Sequence, residues 1–342
     1  MRPTRHRKDE HIDVCLHRPV GSDVPSGLDV VRFEHLALPE IDLEDVDLDT
    51  TVLGQRLRAP LILGAMTGGS PRARRINQRL ARAAERLGLG MALGSQRAMI
   101  EEPKLTSSYR VRDFAPDLPL LIGNIGAVQL RKGIAPETLR EAIRSAGADA
   151  LAFHLNPLQE ALQPEGDTCF RGLEKLLREA VPRVGVPCLV KEVGAGISAS
   201  TARRLAALPL AGVEAAGVGG TSWARVEAHR AGGTAAAIAG ERLAGLGVPT
   251  AESIAACRKA FGTRLVVGSG GIRTGRDVAA AIALGADACA LAGPLLGPAE
   301  DSEAALVRVL EAILVELRVV MFCTGCRRPV ELRRAAARGA RR

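Results

Sequence analysis

A (β/α)8 TIM barrel, an α/β fold, is the class this sequence predicts, on two observations. Eight short apolar runs recur after residue 58, each ending in Gly, Ser, Asn or Thr or just before one of them. Between most of them lie Ala-, Leu- and Arg-rich stretches with helical spacing. Short, nearly continuous apolar strands alternating with helices indicate a parallel sheet covered on its faces. Eight such units indicate closure into a barrel. A doubly wound open sheet is the structural alternative. It favours a G-x-G-x-x-G after the first strand, and GAMTGG (64–69) has the wrong spacing.

Taken in order, residues 1–58 read as an N-terminal arm, a turn-rich loop and short strands closing the barrel bottom. The barrel spans 59–320. Its strands are APLILGAM (59–66), GMALGS (90–95), LPLLIGNIG (118–126), ALAFHLN (150–156), PCLVKEVG (187–194), AGVEAAGVGG (211–220), LVVGSGG (265–271) and ACALAG (288–293). INQRLARAAERLG (76–88) and ETLREAIRSAG (137–147) have helical spacing between strands. The longest step, from strand six to strand seven, predicts an excursion near 228–250. Residues 303–320 read as a last helix, and 321–342 as a C-terminal segment whose RRAAARGARR is a frayed basic tail.

The chain has 342 residues, 47% hydrophobic and 25% charged, which excludes disorder throughout. Aromatics make up only 2%, too few for stacking platforms on single-stranded nucleic acid. The net charge of +8 sits in the ends: residues 1–8 carry +4 and residues 327–342 carry +6, leaving the body at −2. A DNA-binding domain usually carries a basic stripe on a folded face, so no nucleic-acid partner is expected. No apolar run reaches the ~18 residues of a membrane span, and the charged start lacks the apolar region of a secretory signal. Seven cysteines, an odd number spread along the chain, suit a reducing compartment. The expectation is a cytoplasmic protein with no membrane partner.

A barrel builds its active site at the C-terminal ends of its strands. Those ends present Thr67, Ser95-Gln96-Arg97, Asn124, His154 with Asn156, Gln159 and Glu160, Lys191, Gly219-Gly220-Thr221, Gly270 to Arg273, and Ala292-Gly293. The glycines after strands seven and eight suggest a phosphate cradle, to which a helix begun near Thr274 adds its positive end. The alternative is that they only make tight turns. Lys191 lies inside an apolar strand, where a lone ammonium is costly. It reads as a cation meeting an anion or an electron-rich ring in the barrel mouth, with snorkelling to the rim or a Schiff base as rivals. Glu160 is a candidate Mg2+ ligand, because hard cations take carboxylate oxygens shared with substrate phosphates. CTGC (323–326) has no second Cys or His pair at zinc spacing and reads as two ordinary thiols.

These residues sit in RKDEHI (7–12), APLILGAMTGGS (59–70), ALGSQRAMIE (92–101), IGNIGA (122–127), FHLNPLQE (153–160), VKEVGAGIS (190–198), GGTSWARVE (219–227), PTAESI (249–254) and GSGGIR (268–273). Over nearly its whole length the sequence resembles the type 2, FMN-dependent isopentenyl-diphosphate delta-isomerases, with GSQR and HLNxxQE the most specific matches. The resemblance implies interconversion of isopentenyl and dimethylallyl diphosphate with reduced FMN, Mg2+ and NADPH as reductant. It implies FMN contacts from Ala65, Met66, Thr67, Ser95, Asn124, Lys191 and Thr221, with the FMN phosphate on Gly271, Ile272, Arg273, Ala292 and Gly293. It further implies a substrate diphosphate on Arg7, Lys8, Ser95, Gln96, Arg97, His154 and Asn156, with Gln159 facing the isoprenyl carbons and Glu160 on Mg2+. Gln159 and His154 are the residues expected to act at the reaction centre. Strand six departs from the pattern: GVEAAGVGGTSW reads about three residues short and lacks an Asp before the GGT. A homo-oligomer, tetramer or octamer, is expected.

An FMN-dependent 2-hydroxy-acid oxidase or dehydrogenase is the alternative on the same barrel. It wants a His/Arg pair for the acid carboxylate and no diphosphate arm. The N-terminal segment, with no hydrophobic anchor before Ile12, is expected to be mobile in the free protein.

Overall fold

The computed structural model describes the backbone of residues 4–339 and the side chains of residues 7–335. Eight parallel strands close into one barrel: β3 (Leu61–Leu63), β4 (Gly90–Ala92), β5 (Leu120–Gly126), β6 (Ala150–His154), β7 (Cys188–Lys191), β8 (Gly212–Glu214), β9 (Leu265–Ser269) and β10 (Ala288–Leu291), with β10 pairing back onto β3. All eight expected strands are present, and closure excludes the open-sheet alternative. An antiparallel hairpin, β1 (Thr50–Val52) and β2 (Gln55–Leu57), precedes them. Its two-residue turn, Leu53-Gly54, has both residues at positive φ, as a tight hairpin matched to strand twist requires. Val52 and Leu57 are fully buried with Leu120, Ala150 and Ala288, residues that begin barrel strands, so the hairpin plugs the barrel floor.

The helices are α1 (Thr4–His17), α2 (Pro71–Leu87), α3 (Arg97–Glu101), α4 (Pro136–Ala146), α5 (Pro157–Leu162), α6 (Leu173–Val184), α7 (Ala199–Ala206), α8 (Trp223–Ala231), α9 (Ala235–Arg242), α10 (Thr250–Phe261), α11 (Gly275–Ala283), α12 (Gly293–Asp301), α13 (Glu303–Cys323) and α14 (Leu332–Gly339). Their apolar stripes form the outer core; in α2, for example, Ala73, Ile76, Leu80 and Ala84 are buried. The expected excursion after strand six is the α8–α9 pair.

Both chain ends differ from expectation. The N-terminal arm forms α1, whose Ile12 is buried in the core. It is held by His11 on Glu227, Glu10 on Arg230, Asp9 on Ser70 and Asp13 on Arg72, so long-range polar contacts supply the anchor that local sequence lacks. At the other end, the basic tail is helical through Gly339, and Arg333 pairs with Asp287. Arg2, Arg341 and Arg342 lie outside the described residues.

Candidate active site

A cavity of about 620 Å³ opens at the C-terminal ends of the strands. That volume suits a cofactor-sized ligand. α1 lies along it: Lys8, His11, Ile12 and Cys15, at helical spacing, line the cavity together with Arg7 and with Arg18 just past the helix end. The helix thereby delivers two cations to a mouth more than fifty residues away in sequence.

At this end the side chains are polar and held in a chain of hydrogen bonds. His154 Nδ1 lies 2.9 Å from Asn124 Oδ1, which places the ring proton on Nδ1. Burial, helped by the charges of Lys191 and Lys8, pushes its pKa down to about 3, so the imidazole is uncharged. Asn156 Nδ2 donates to Gln159 Oε1 (3.0 Å) and Glu160 Oε1 (2.9 Å), while its buried Oδ1 has no partner among the described residues. Gln159 Nε2 donates to Glu227 Oε1 at 2.9 Å. Lys8 has no acidic partner among the described residues; burial and the nearby Arg7 and Arg97 bring its pKa down to about 8. Three cations converging with incomplete compensation make an anion site. Glu160 Oε2 also accepts from the Asp167 amide (2.6 Å), so the carboxylate is oriented, with no cation partner among the described residues.

The other end is glycine-lined. Gly219, Gly270 and Gly271 have φ of +125°, +96° and +70°, and a Cβ at Gly220 would lie 2.5 Å from the Gly271 nitrogen. Only glycine permits this approach. The amides of Gly271 and Ile272 have no partner among the described residues, and Arg273 folds its guanidinium onto Gly271 O and Gly219 O. This is an anion-binding nest. The helix after strand seven does not contribute as expected. Asp277 accepts from the Arg273 and Thr274 amides and Glu316 from the Gly275 amide, so the first donors of α11 are spent inside the protein.

Between the two ends, Lys191 Nζ donates to Glu192 O (2.6 Å) and lies 3.3 Å from Glu214 Oε1. It is buried in the barrel rather than snorkelling to the rim. Strand six is short, three residues in β8, yet it pairs with both neighbours and closes the barrel, and its Glu214 brings a carboxylate to the mouth. Thr221 lines the cavity, its backbone bridged to Gly21. Thr67 Oγ1 is buried beside the cavity without a partner among the described residues.

Every expected site residue lines this cavity except Gln96. This residue is 1% exposed, and its side chain donates to Ala142 O and accepts from the Asn124 amide, so it holds β5 and does not reach a ligand. Two acids of this site were not singled out by the sequence. Glu214 is one. The other is Glu227, fully buried on α8, which gathers His11, Gln159 and Arg230. Burial alone would raise its pKa, but the hydrogen bond from His11 and the neighbouring charges hold it below the ordinary carboxylate range. Burial outweighs Glu227 at His11, whose pKa falls, so a neutral imidazole donates from Nε2. Glu227 lies inside GGTSWARVE, but nothing in that string shows that α1 and α5 converge on it.

Comparison with known proteins now adds to this geometry. The chain is 48% identical to the isopentenyl-diphosphate delta-isomerase of Deinococcus radiodurans over 334 residues, covering 97% of each chain. It is 47% identical to that of a Synechococcus species, covering 96% of each. The chain belongs to the isopentenyl-diphosphate delta-isomerase family. Residues 170–338 also match the FMN-dependent dehydrogenase family. Among solved structures, a soluble mutant of (S)-mandelate dehydrogenase from Pseudomonas putida superposes with a TM-score of 0.66 at 21% identity, covering 95% of this chain and 97% of that one. A mandelate oxidase mutant gives 0.61 at 18% identity, covering 94% and 93%. These two likenesses concern the barrel alone, which the isopentenyl-diphosphate delta-isomerase family shares with them. Among the described residues no helix is long and apolar enough to cross a membrane.

Proposed function

We propose that this enzyme interconverts isopentenyl diphosphate and dimethylallyl diphosphate, using reduced FMN and Mg2+, with NADPH as the reductant. The observation that carries the reading is one cavity with two anion sites: a glycine nest at one end and the Arg7, Lys8 and Arg97 cluster at the other. A flavin phosphate and a substrate diphosphate need that pair of sites.

The residues fit the implied groups. The Gly219–Gly220 and Gly270–Gly271 cradle admits a phosphate where any Cβ would intrude, and the unpartnered Thr67 Oγ1 waits on a ligand atom. Thr67, Ser95, Asn124, Lys191 and Thr221 would hold the ring and ribityl chain, and Ala292 and Gly293 would complete the phosphate site with Ile272 and Arg273. Bound reduced FMN supplies the group that gives and takes protons as the double bond moves. Arg7, Lys8 and Arg97 neutralise the diphosphate and clamp one end of the substrate. Uncharged His154, fixed by Asn124, and Asn156 complete that site. Glu227 and Asn156 lock both ends of the Gln159 amide, so it presents a single orientation to the isoprenyl carbons. Glu160 would share Mg2+ with the diphosphate oxygens. One protein carboxylate is in keeping with Mg2+, which is usually held by one or two carboxylates together with substrate phosphates and waters. α1 roofs the cavity and excludes water from the reacting allyl unit.

The test is direct. FMN-reconstituted protein should show a flavin spectrum bleached by dithionite, and, with Mg2+ and isopentenyl diphosphate, proton NMR should show dimethylallyl diphosphate accumulating. No saturable FMN binding sinks the assignment. Turnover of a 2-hydroxy acid without isomerisation would favour the dehydrogenase reading.

A further inference from the structure

The Lys191–Glu214 pair carries a consequence beyond cofactor contact. Glu214 Oε1 lies 3.3 Å from Lys191 Nζ and accepts from Ser269 Oγ at 2.9 Å. All three residues line the cavity. The Lys191 side chain is 8% exposed and that of Glu214 13%, so water screens the pair only weakly. The second acid beside Lys191 faces elsewhere: Glu192 Oε2 accepts from the Val193, Gly194 and Ala195 amides, and Glu192 does not line this cavity. Glu214 is therefore the carboxylate that offsets the Lys191 charge toward a ligand.

We propose that Glu214 is a positioning residue that holds down the reduction potential of the bound flavin by neutralising Lys191. The inference rests on the FMN reading above. A hydride from a reduced nicotinamide carries two electrons and one proton, leaves a cationic nicotinamide, and turns the neutral flavin ring into a monoanion. A lone ammonium against the ring would stabilise that added charge. A carboxylate 3.3 Å from the ammonium cancels much of the effect. The reduced ring stays electron-rich, which suits a group that must accept a proton.

The experiment is the midpoint potential of the FMN-loaded protein at pH 7, by dye-equilibrated spectrophotometric titration, for the parent and three variants. Glu214→Gln removes the charge and keeps the shape. It should tighten reduced over oxidised FMN by roughly tenfold or more, about +30 mV for a two-electron couple. Glu214→Asp keeps the charge and should stay within about twofold of the parent. Ser269→Ala loosens the carboxylate and should move the potential the same way by less. A Glu214→Gln potential equal to or below the parent's overturns the proposal. If that variant does not fold, an unmoved Ser269→Ala potential does so. A parent that binds no FMN overturns the functional reading as well, whereas a flavin-loaded parent with unmoved variants overturns this inference alone.

Discussion

The floor and the mouth of the barrel treat charge in opposite ways. On the floor, Asp149 accepts from Arg112 and from the Leu121 amide, both at 2.7 Å. Asp287 accepts from Arg258, from Arg333 (2.6 Å) and from the Val266 amide (2.8 Å). Both acids follow Gly-Ala, at 147–149 and 285–287, and the same construction serves strands three and four and strands seven and eight. Arg112 and Arg258 spend further donors on backbone carbonyls such as Gly147 O and Gly285 O. The mouth instead leaves Lys8 without an acid, and Thr67 Oγ1 and Asn156 Oδ1 without partners, among the described residues. Buried polar groups cost free energy unless satisfied. Among the described residues the floor pairs its charges and leaves only Arg333 Nε open, whereas the mouth leaves a cation and two buried oxygens open, which marks where ligands complete the structure.

The largest expected effect tests the mouth. Arg7→Ala/Lys8→Ala should lose about 3–5 kcal/mol of substrate binding at roughly 1.5–3 kcal/mol per charge-assisted hydrogen bond. That is several hundredfold or more in KM, with FMN affinity and thermal stability little changed. A KM within threefold of the parent means the helix is a roof and not a clamp.

The complementary variant tests the floor. Asp287→Ala strands Arg258 and Arg333 and should cost about 2 kcal/mol of stability, discounted from the buried-pair range because these side chains are partly exposed. Urea unfolding should record the loss while kcat/KM stays near the parent value. Impaired catalysis with normal stability would dissolve the contrast between the two ends.

A narrower effect is expected at Glu160. Glu160→Gln should raise the Mg2+ concentration for half-maximal activity by roughly tenfold while FMN remains bound. Unchanged Mg2+ dependence refutes its role as a ligand.

The smallest effect sharpens the electrostatics. With a folded pKa of about 3 against 6.5 in the unfolded chain, His154 binds its proton more readily when unfolded. Its contribution to stability is therefore complete above pH 6.5 and is lost as pH falls from there toward 3. NMR of the free protein should show a His154 ring that does not titrate between pH 8 and 5. A midpoint near 6.5 would mean the mouth is wetter and less cationic than its geometry implies.

Much of this site was legible in the sequence because a barrel converts position into function. A polar residue ending an apolar run stands at the mouth, and Ser95, Asn124, His154 and Lys191 all do so. Gln96 misled because it follows Ser95 directly. Consecutive residues point to different sides, and its amide was taken up by Ala142 O and the Asn124 amide behind the strand. Thr274 misled for a related reason, since a helix start is an anion site only while its amides are free, and Asp277 and Glu316 had occupied them.

The sequence by itself determined the barrel, its strand order of eight, the hairpin beneath it and a set of site residues of which all but Gln96 line the cavity. Those follow from local periodicity and from the rule that parallel strands expose their C-terminal ends. Tertiary structure alone decided the place of α1 and the partners of the buried charges. Glu227 lies 216 residues from His11 and 68 from Gln159, and Glu214 meets Lys191 only because β7 and β8 pair in register. Polar contacts of that separation leave no local pattern. They exist because a low-dielectric interior forces each charge to find a partner, and closure of the barrel determines which partners are within reach.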